Sequence, residues 1–391
     1  MTTPAAAMSD KPKLALILSG GGARAAYQAG VARAIAEMLP DGTTSPFRIV
    51  CGTSAGAINA AALAAGARHF RTASTMLCET WATLSIEDIY RADGWHLAQT
   101  AWRFLRSLFP GADRQRPIAL LDNAPLATLL ARTIHFPSIE HSISAGALDA
   151  LTITASSYRT GMSVSFCMGG PGLELWERSQ RIGVRAAIGV QHLLASSAIP
   201  FVFAPTKIGN EFFGDGAMGQ MAPTAPALHL GADRILVVGA ARTTTHDPET
   251  PNPPSLAQIG SQVFASVFTD ALGTDLEKVR LVNIAVHQIP PERLASSPMP
   301  LRDIMLLVIT PSVALETLAG EFRHRLPRSL RLALGGIGGT RSGGEGLLSY
   351  LLFDSGFCSA LIDLGYRDAQ AKRDELATFL SIRSAESEAN L

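Results

Sequence analysis

Short apolar, often β-branched runs recur along the chain at Leu14–Leu18, Phe47–Val50, Leu151–Ala155, Val164–Cys167, Arg234–Val238 and Ile304–Ile309. Each has the length and composition of a buried strand. Between them lie stretches with helical spacing. In Ala23–Leu39 the apolar positions Tyr27, Val31, Ile35 and Leu39 step by four, so one side of a helix faces a core. Ala55–Ala65 is rich in helix formers, and Tyr366–Leu380 reads as a polar helix. Strands alternating with helices predict an α/β fold with a largely parallel sheet. The uncharged stretch Ile49–Ala67 is long enough to span a bilayer. It is mostly alanine and glycine with Thr53, Ser54 and Asn59 inside, which fits a buried strand, turn and helix better.

Three segments break this rhythm and suggest an organisation. The first twelve residues read as a loose tail, and 13–245 as the main unit. Residues 84–120 read as a helical insertion or lid, in which Trp95, Trp102, Phe104 and Phe109 interleave with arginines. Such a surface could touch anionic lipid, although aromatics packed on the core with arginines in water explain it at least as well. Residues 246–256 are proline-rich loop, and 335–346 are glycine-rich. Residues 246–391 then continue the fold as a mostly helical region, with one further strand near 304–309, packed on the main unit. A formal net charge of zero over 391 residues argues against a nucleic-acid partner. The cysteines Cys51, Cys78, Cys167 and Cys358 form no CxxC pair, so free thiols and a cytoplasmic location are expected.

Candidate chemistry centres on Gly52-Thr53-Ser54-Ala55-Gly56. The run FRIVC feeds into it and a helix follows, which is the strand–turn–helix setting of a nucleophile elbow. The plainer alternative is a glycine-rich turn with an incidental serine. Upstream, Gly20-Gly21-Gly22 closes the first strand ahead of Arg24. Amides in such a turn can hold an anion, either a dinucleotide pyrophosphate or the oxygen of a tetrahedral intermediate. A dinucleotide fold needs an acidic residue at the end of the next strand, and here that strand ends in GTSAG, which favours the oxyanion hole. Arg24 could brace the loop, attract an anionic substrate or simply be solvated. A serine needs a base. None of the nine histidines has a persuasive setting. Asp215, flanked by Gly214 and Gly216 after an aromatic run, could accept the proton directly, although D-G turns are common.

Together the three motifs, in the order GGGAR, GTSAG and DGA, resemble the patatin-like phospholipase family. The blocks LLDNAPLATLL (120–130), ASSAIPFVFAP (195–205) and LLSYLLFDSGFCSALIDLGYRDA (347–369) also look like its bacterial members. The resemblance implies a three-layer sandwich with a mostly parallel sheet flanked by helices. It implies Ser54 as nucleophile, Asp215 as base and Gly20, Gly21 and Gly22 as oxyanion hole, with Arg24, Gly52, Gly56 and Gly216 in supporting positions. It implies no cofactor and no metal. The expected partner is a phospholipid or other fatty-acyl ester, reached through transient contact with a membrane surface. An acyltransferase with the same dyad, or a regulatory lipid-binding module with little turnover, would carry the same motifs. The run Ser156-Ser157-Tyr158 departs from the family pattern without touching the expected catalytic residues. Burial of Asp215, needed to make it an effective base, is expected from FVFAP and from Phe212 and Phe213.

Overall fold

The computed structural model describes residues 12–91, 119–240, 256–296, 301–327, 331 and 345–382. The N-terminal tail, the aromatic and arginine-rich part of the 84–120 segment, the proline-rich loop and most of the glycine-rich stretch lie outside these residues.

The strands are β1 (Leu14–Leu18), β2 (Ile49–Thr53), β3 (Ala150–Ser157), β4 (Ser163–Gly169), β5 (Glu177–Arg178), β6 (Arg181–Arg185), β7 (Thr206–Ile208), β8 (Glu211–Asp215), β9 (Arg234–Val238) and β10 (Met305–Ile309). They form one sheet in the order β10-β9-β1-β2-β3-β4-β6-β5, with β8 paired to β3 and β7 to β8. β10, β9, β1, β2 and β3 run parallel, whereas β4 is antiparallel to β3. The boundary expected at 245 therefore falls between two neighbouring strands of one sheet, β9 and β10.

The parallel strands read as continuous apolar runs because both faces are covered. Alternate residues divide between them. Leu14, Leu16, Val50, Leu151 and Leu236 face helices α1 (Ala26–Met38), α2 (Ala55–Ala65) and α3 (Phe70–Thr83) together with helix Ser355–Ala371. Ala15, Ile17, Cys51, Ile235 and Val237 face the other way, toward Leu276 and Val279 of helix Leu256–His287. The result is a mixed α/β sandwich with the sheet as its middle layer.

Two expected elements differ. Ala23–Leu39 begins with a 3-10 turn, Gly22–Ala25, before α1, because the glycine loop must turn tightly out of β1. Tyr366–Leu380 is the end of helix Ser355–Ala371 and a separate helix, Arg373–Leu380, broken at Lys372. Helix Leu256–His287 lies in the region expected to be mostly helical, although its own bounds were not read from the sequence. The four cysteines are buried and free. Among the described residues no helix is long and apolar enough to cross a membrane.

Candidate active site

β2 delivers its chain into the sharp turn at Ser54, which has φ 55° and ψ −132°. A non-glycine residue with positive φ is strained, and such strain is held only where the surroundings over-determine it. Here the flanking glycines make the geometry possible. A Cβ on Gly56 would lie 2.3 Å from the Leu18 carbonyl oxygen, and one on Gly52 2.5 Å from Ala57 Cα. Helix α2 starts at Ala55, so its N-terminal amides and the positive end of its dipole lie at the serine.

Asp215 ends β8, which pairs antiparallel with the end of β3. This places the carboxylate beside the elbow, 161 residues away in sequence. Ser54 Oγ donates to Asp215 Oδ2 at 2.6 Å, and the Ala217 amide donates to Asp215 Oδ1 at 2.9 Å. Gly216 opens the short turn that presents that amide. Asp215 is 0 % and Ser54 1 % exposed. Burial pushes the Asp215 carboxyl up to about 7, while the hydrogen bonds from Ser54 and Ala217 oppose that rise. Neither residue is hydrogen-bonded to a histidine among the described residues. His192, the buried histidine of this region, accepts from the Gly189 amide and packs edge-on against Phe166.

The aromatic surroundings expected to bury Asp215 are present in part: Val202 and Phe203 are buried, and Phe213 packs with Ala155, the register partner of Asp215. Phe213 is buried, but Phe212 is 44 % and Phe201 74 % exposed. The carboxylate is enclosed by the paired end of β3 and by the Ala198 carbonyl, which accepts the Asp215 amide. The Ser156-Ser157-Tyr158 run lies close by. Ser157 Oγ donates to Glu211, and the Tyr158 ring lies over Gly214, next to Asp215.

Several site residues carried no sequence signal. Ser196 Oγ accepts the Ser54 amide at 2.9 Å and donates to the Thr154 carbonyl at 2.6 Å. The Ser54 amide is thus engaged in holding the elbow. Thr53 Oγ1 donates to Gln220 Oε1 at 2.7 Å, tying the residue before the serine to the loop after Asp215.

Gly22, at φ 55°, lines the same cavity as Ser54 and Ala55. Its α-carbon packs so closely on the Tyr350 carbonyl that a Cβ would lie 2.2 Å from that oxygen. Gly20 and Gly21 precede it in the turn, and the Gly21 carbonyl accepts the Arg24 amide. Arg24 is buried rather than solvated. Its Nε donates to Ser349 Oγ at 2.8 Å, its Nη2 reaches Glu316 at 2.6 Å, and its guanidinium lies 4.0 Å from the Tyr350 ring centre. It braces the glycine loop against the C-terminal helices.

The cavity at Ser54 has a volume of about 240 Å³. It follows α2 along Ala55, Ile58, Ala62 and Ala65, one side of that helix, with Leu77 and Trp81 of α3 and Leu130 of helix Ala124–Thr133 opposite. Ser54, with Asp215 buried behind it, therefore lines an apolar groove running the length of α2, about 16 Å at 1.5 Å per residue. No group of side chains suited to a metal ion occurs among the described residues.

Comparison with solved structures returned human GIVD cytosolic phospholipase A2 with a methyl γ-linolenyl fluorophosphonate inhibitor and terbium chloride, at 13 % identity and a TM-score of 0.44. The match covers 95 % of this chain and 60 % of that one. VipD from Legionella pneumophila matches at 10 % identity and a TM-score of 0.32, over 93 % of this chain and 67 % of its own. Full-length ExoU from Pseudomonas aeruginosa, in complex with SpcU, matches at 17 % identity and a TM-score of 0.27, over 95 % and 79 %. No curated protein sequence matches. The family model for patatin-like phospholipases matches residues 16–228, more than half of the chain and the whole span from the glycine loop to the aspartate turn. The chain belongs to the patatin-like phospholipase family.

Proposed function

We propose that the protein is a serine-dependent lipid acyl hydrolase of the phospholipase A or lysophospholipase type. The observation that carries this reading is the 2.6 Å contact between Ser54 Oγ and Asp215 Oδ2, with Ser54 in the wall of an apolar groove. Asp215 takes the Ser54 proton as Oγ attacks the ester carbonyl. A buried carboxyl held near 7 is a far better base at neutral pH than an ordinary carboxylate. The carbonyl oxygen becomes an oxyanion, held by amides of the Gly20–Gly22 turn and the first turn of α2. The protonated Asp215 then gives its proton to the departing alcohol, leaving an acyl ester on Ser54. Water, giving a proton to the same carboxylate, attacks that ester, and Asp215 returns the proton to Ser54 Oγ as the fatty acid leaves. The fatty chain lies along α2, where the groove offers alanine, isoleucine, leucine and tryptophan surface.

Hydrolysis of p-nitrophenyl acyl esters and of phospholipids, by wild type beside Ser54→Ala and Asp215→Asn, tests the reading. Both variants should lose activity by about three orders of magnitude or more, as removal of a nucleophile or its base does. Full activity in either would remove the dyad. Labelling of a residue other than Ser54 by a fluorophosphonate probe would do the same.

A further inference from the structure

On the face of the sheet opposite α2, the strands past β3 change character. β4 pairs Ser163 with Ser156 and Ser165 with Thr154, and β6 sets Arg181 beside Ser163. Residues opposite one another in a sheet share a face. A polar strip of hydroxyls ending in an arginine therefore crosses three adjacent strands. The residues between them, Ala155, Val164, Phe166 and Ile182, pack in an apolar cluster on the other face. An antiparallel pair often turns a polar face to water, but Thr154, Ser163 and Ser165 are buried, so this strip is not an ordinary solvated face. Instead the strip lines a cavity of about 260 Å³, with Ser163, Ser165 and Arg181 in its wall. Gln220 and Trp176 complete the wall, and Lys278 of helix Leu256–His287 stands at its edge.

The charge around this cavity is one-sided. Arg181 Nε is buried and has no hydrogen-bond partner, and Ser156 Oγ is buried without one as well. Arg178 donates to the carbonyl of its neighbour Glu177. Among the described residues no ion pair joins Arg178, Arg181 or Lys278 to a carboxylate. Asp275, one turn before Lys278, is committed to the Thr224 amide and hydroxyl at 2.8 and 2.6 Å. Burial, with Arg178 and Arg181 adding to it, pushes nearby His229 down to about 4, so that ring stays neutral. Ser165 Oγ pairs with Thr154 Oγ1 at 3.1 Å, whereas the buried guanidinium nitrogen, the Ser163 hydroxyl and the lysine bring donors to one space without a carboxylate to meet them.

We propose that this cavity binds a phosphate-class anion, either free or as a lipid headgroup, held by Arg181 and Lys278 with the hydroxyls of Ser163 and Ser165 on β4. Gln220 carries its occupancy to the Ser54–Asp215 pair. Its side chain lines the cavity, accepts from Thr53 Oγ1 at 2.7 Å and reaches Thr154 Oγ1 at 3.4 Å. The coupling rests on the hydrolase reading. The site does not.

Binding is read from thermal unfolding and tryptophan fluorescence during titration with inorganic phosphate at fixed ionic strength. Wild type and Ser54→Ala should both saturate, because the site is independent of the nucleophile. Lys278→Ala, a change at an exposed residue, and Arg181→Gln should weaken binding by about tenfold or more, the worth of one charge-assisted bond. Co-sedimentation with phosphatidylcholine vesicles, with and without a phosphoinositide, separates the sources. A preference for phosphoinositide that Lys278→Ala removes assigns the headgroup. Saturable phosphate binding without vesicle preference assigns the free anion. No saturable effect of phosphate and no vesicle preference would overturn the site, as would unchanged affinity in both variants. Phosphate should also change kcat in wild type but not in Lys278→Ala. Binding with unchanged kcat would overturn the coupling alone, and an ester-inactive protein that still binds phosphate would overturn only the hydrolase reading.

Discussion

A carboxyl group pushed up to about 7 by burial has consequences for both stability and rate. Below the ordinary carboxylate range Asp215 is protonated folded or unfolded, and pH changes nothing. Between about 4 and 7 the folded state holds a proton that the unfolded chain has lost, so stability falls as pH rises through that window. Above it, the cost of keeping a buried carboxylate ionised is fully present, roughly 2–4 kcal/mol. Asp215→Asn should therefore raise Tm at pH 8 relative to wild type and leave it nearly unchanged at pH 4, as scanning calorimetry at the two pH values would read. Equal Tm differences at both would show that the carboxylate is not held neutral by the fold. The rate moves the opposite way: kcat for ester hydrolysis should climb through a single ionisation near 7, since only the carboxylate accepts the serine proton. An enzyme that trades stability for a poised base would show both limbs at the same pH.

At the scale of elements, the helices around Ser54 are held by a buried amide and line the groove with small side chains. Asn59 of α2 donates to the Ala25 carbonyl and to Gln28 Oε1, each at 2.9 Å, and accepts from Trp81 Nε1 at 2.8 Å. Gln28 in turn donates to the Ser19 and Val238 carbonyls. One fully buried side chain thus links α1, α2 and α3 to the end of β1. Asn59→Ala would orphan the indole N–H and the Gln28 oxygen, and should cost about 2–4 kcal/mol in denaturant unfolding. A cost below half a kcal/mol would mean that the network relaxes without it. The groove makes a separate prediction. Ala62→Phe should leave short-chain esters within about twofold of wild type and reduce kcat/KM on long-chain esters by about tenfold for every two methylenes the ring excludes. A uniform loss over all chain lengths would mean that the acyl chain lies elsewhere.

These elements also mark what could be read in advance. The apolar runs at β1 and β9 were legible because a strand buried on both faces leaves an uninterrupted pattern, and β10 was legible from the apolar run MLLVI although it is a half-covered edge strand. β2 reaches Thr53 rather than stopping at Val50, because the strand continues into the elbow. Short edge strands such as β5 and β7 carry too few residues for any period to emerge. Ser54 and Asp215 were legible as candidates because each sits in a glycine frame, and the fold brings the two into contact. Ser196, Asn59 and Gln220 have no local frame, and their roles come from partners 142, 22 and 167 residues away. The polar strip of β3 and β4 was present in the alternation of TITASS and SVSFC, but its meaning depends on the pairing register.

For the molecule as a whole, the family match ends at residue 228 with every motif residue already included, so a fragment ending at 240 looks sufficient from sequence. The packing says otherwise. Arg24, at the foot of the glycine loop, is braced by Ser349 and Glu316. Tyr27 of α1 donates to Asp368 at 3.0 Å, and Tyr90 donates to the Leu351 carbonyl at 2.8 Å. Helix Ser355–Ala371 buries Phe357, Leu361 and Leu364 in the same core as α1, and β10 covers the edge of β9. Removing all of this exposes a sheet edge and the apolar side of α1 together. A chain cut after residue 240 should be aggregated or should bind a hydrophobic dye, with no cooperative unfolding transition. Arg24→Gln in the intact chain is the gentler companion, expected to lose about 1–3 kcal/mol by leaving Glu316 without its partner and the loop without its brace. Its fluorophosphonate labelling rate should fall further than stability alone explains, because in the proposed mechanism Arg24 holds the turn whose amides receive the oxyanion. A monodisperse fragment ending at 240 that labels at Ser54 as fast as the full chain would show that the C-terminal helices are dispensable to the site.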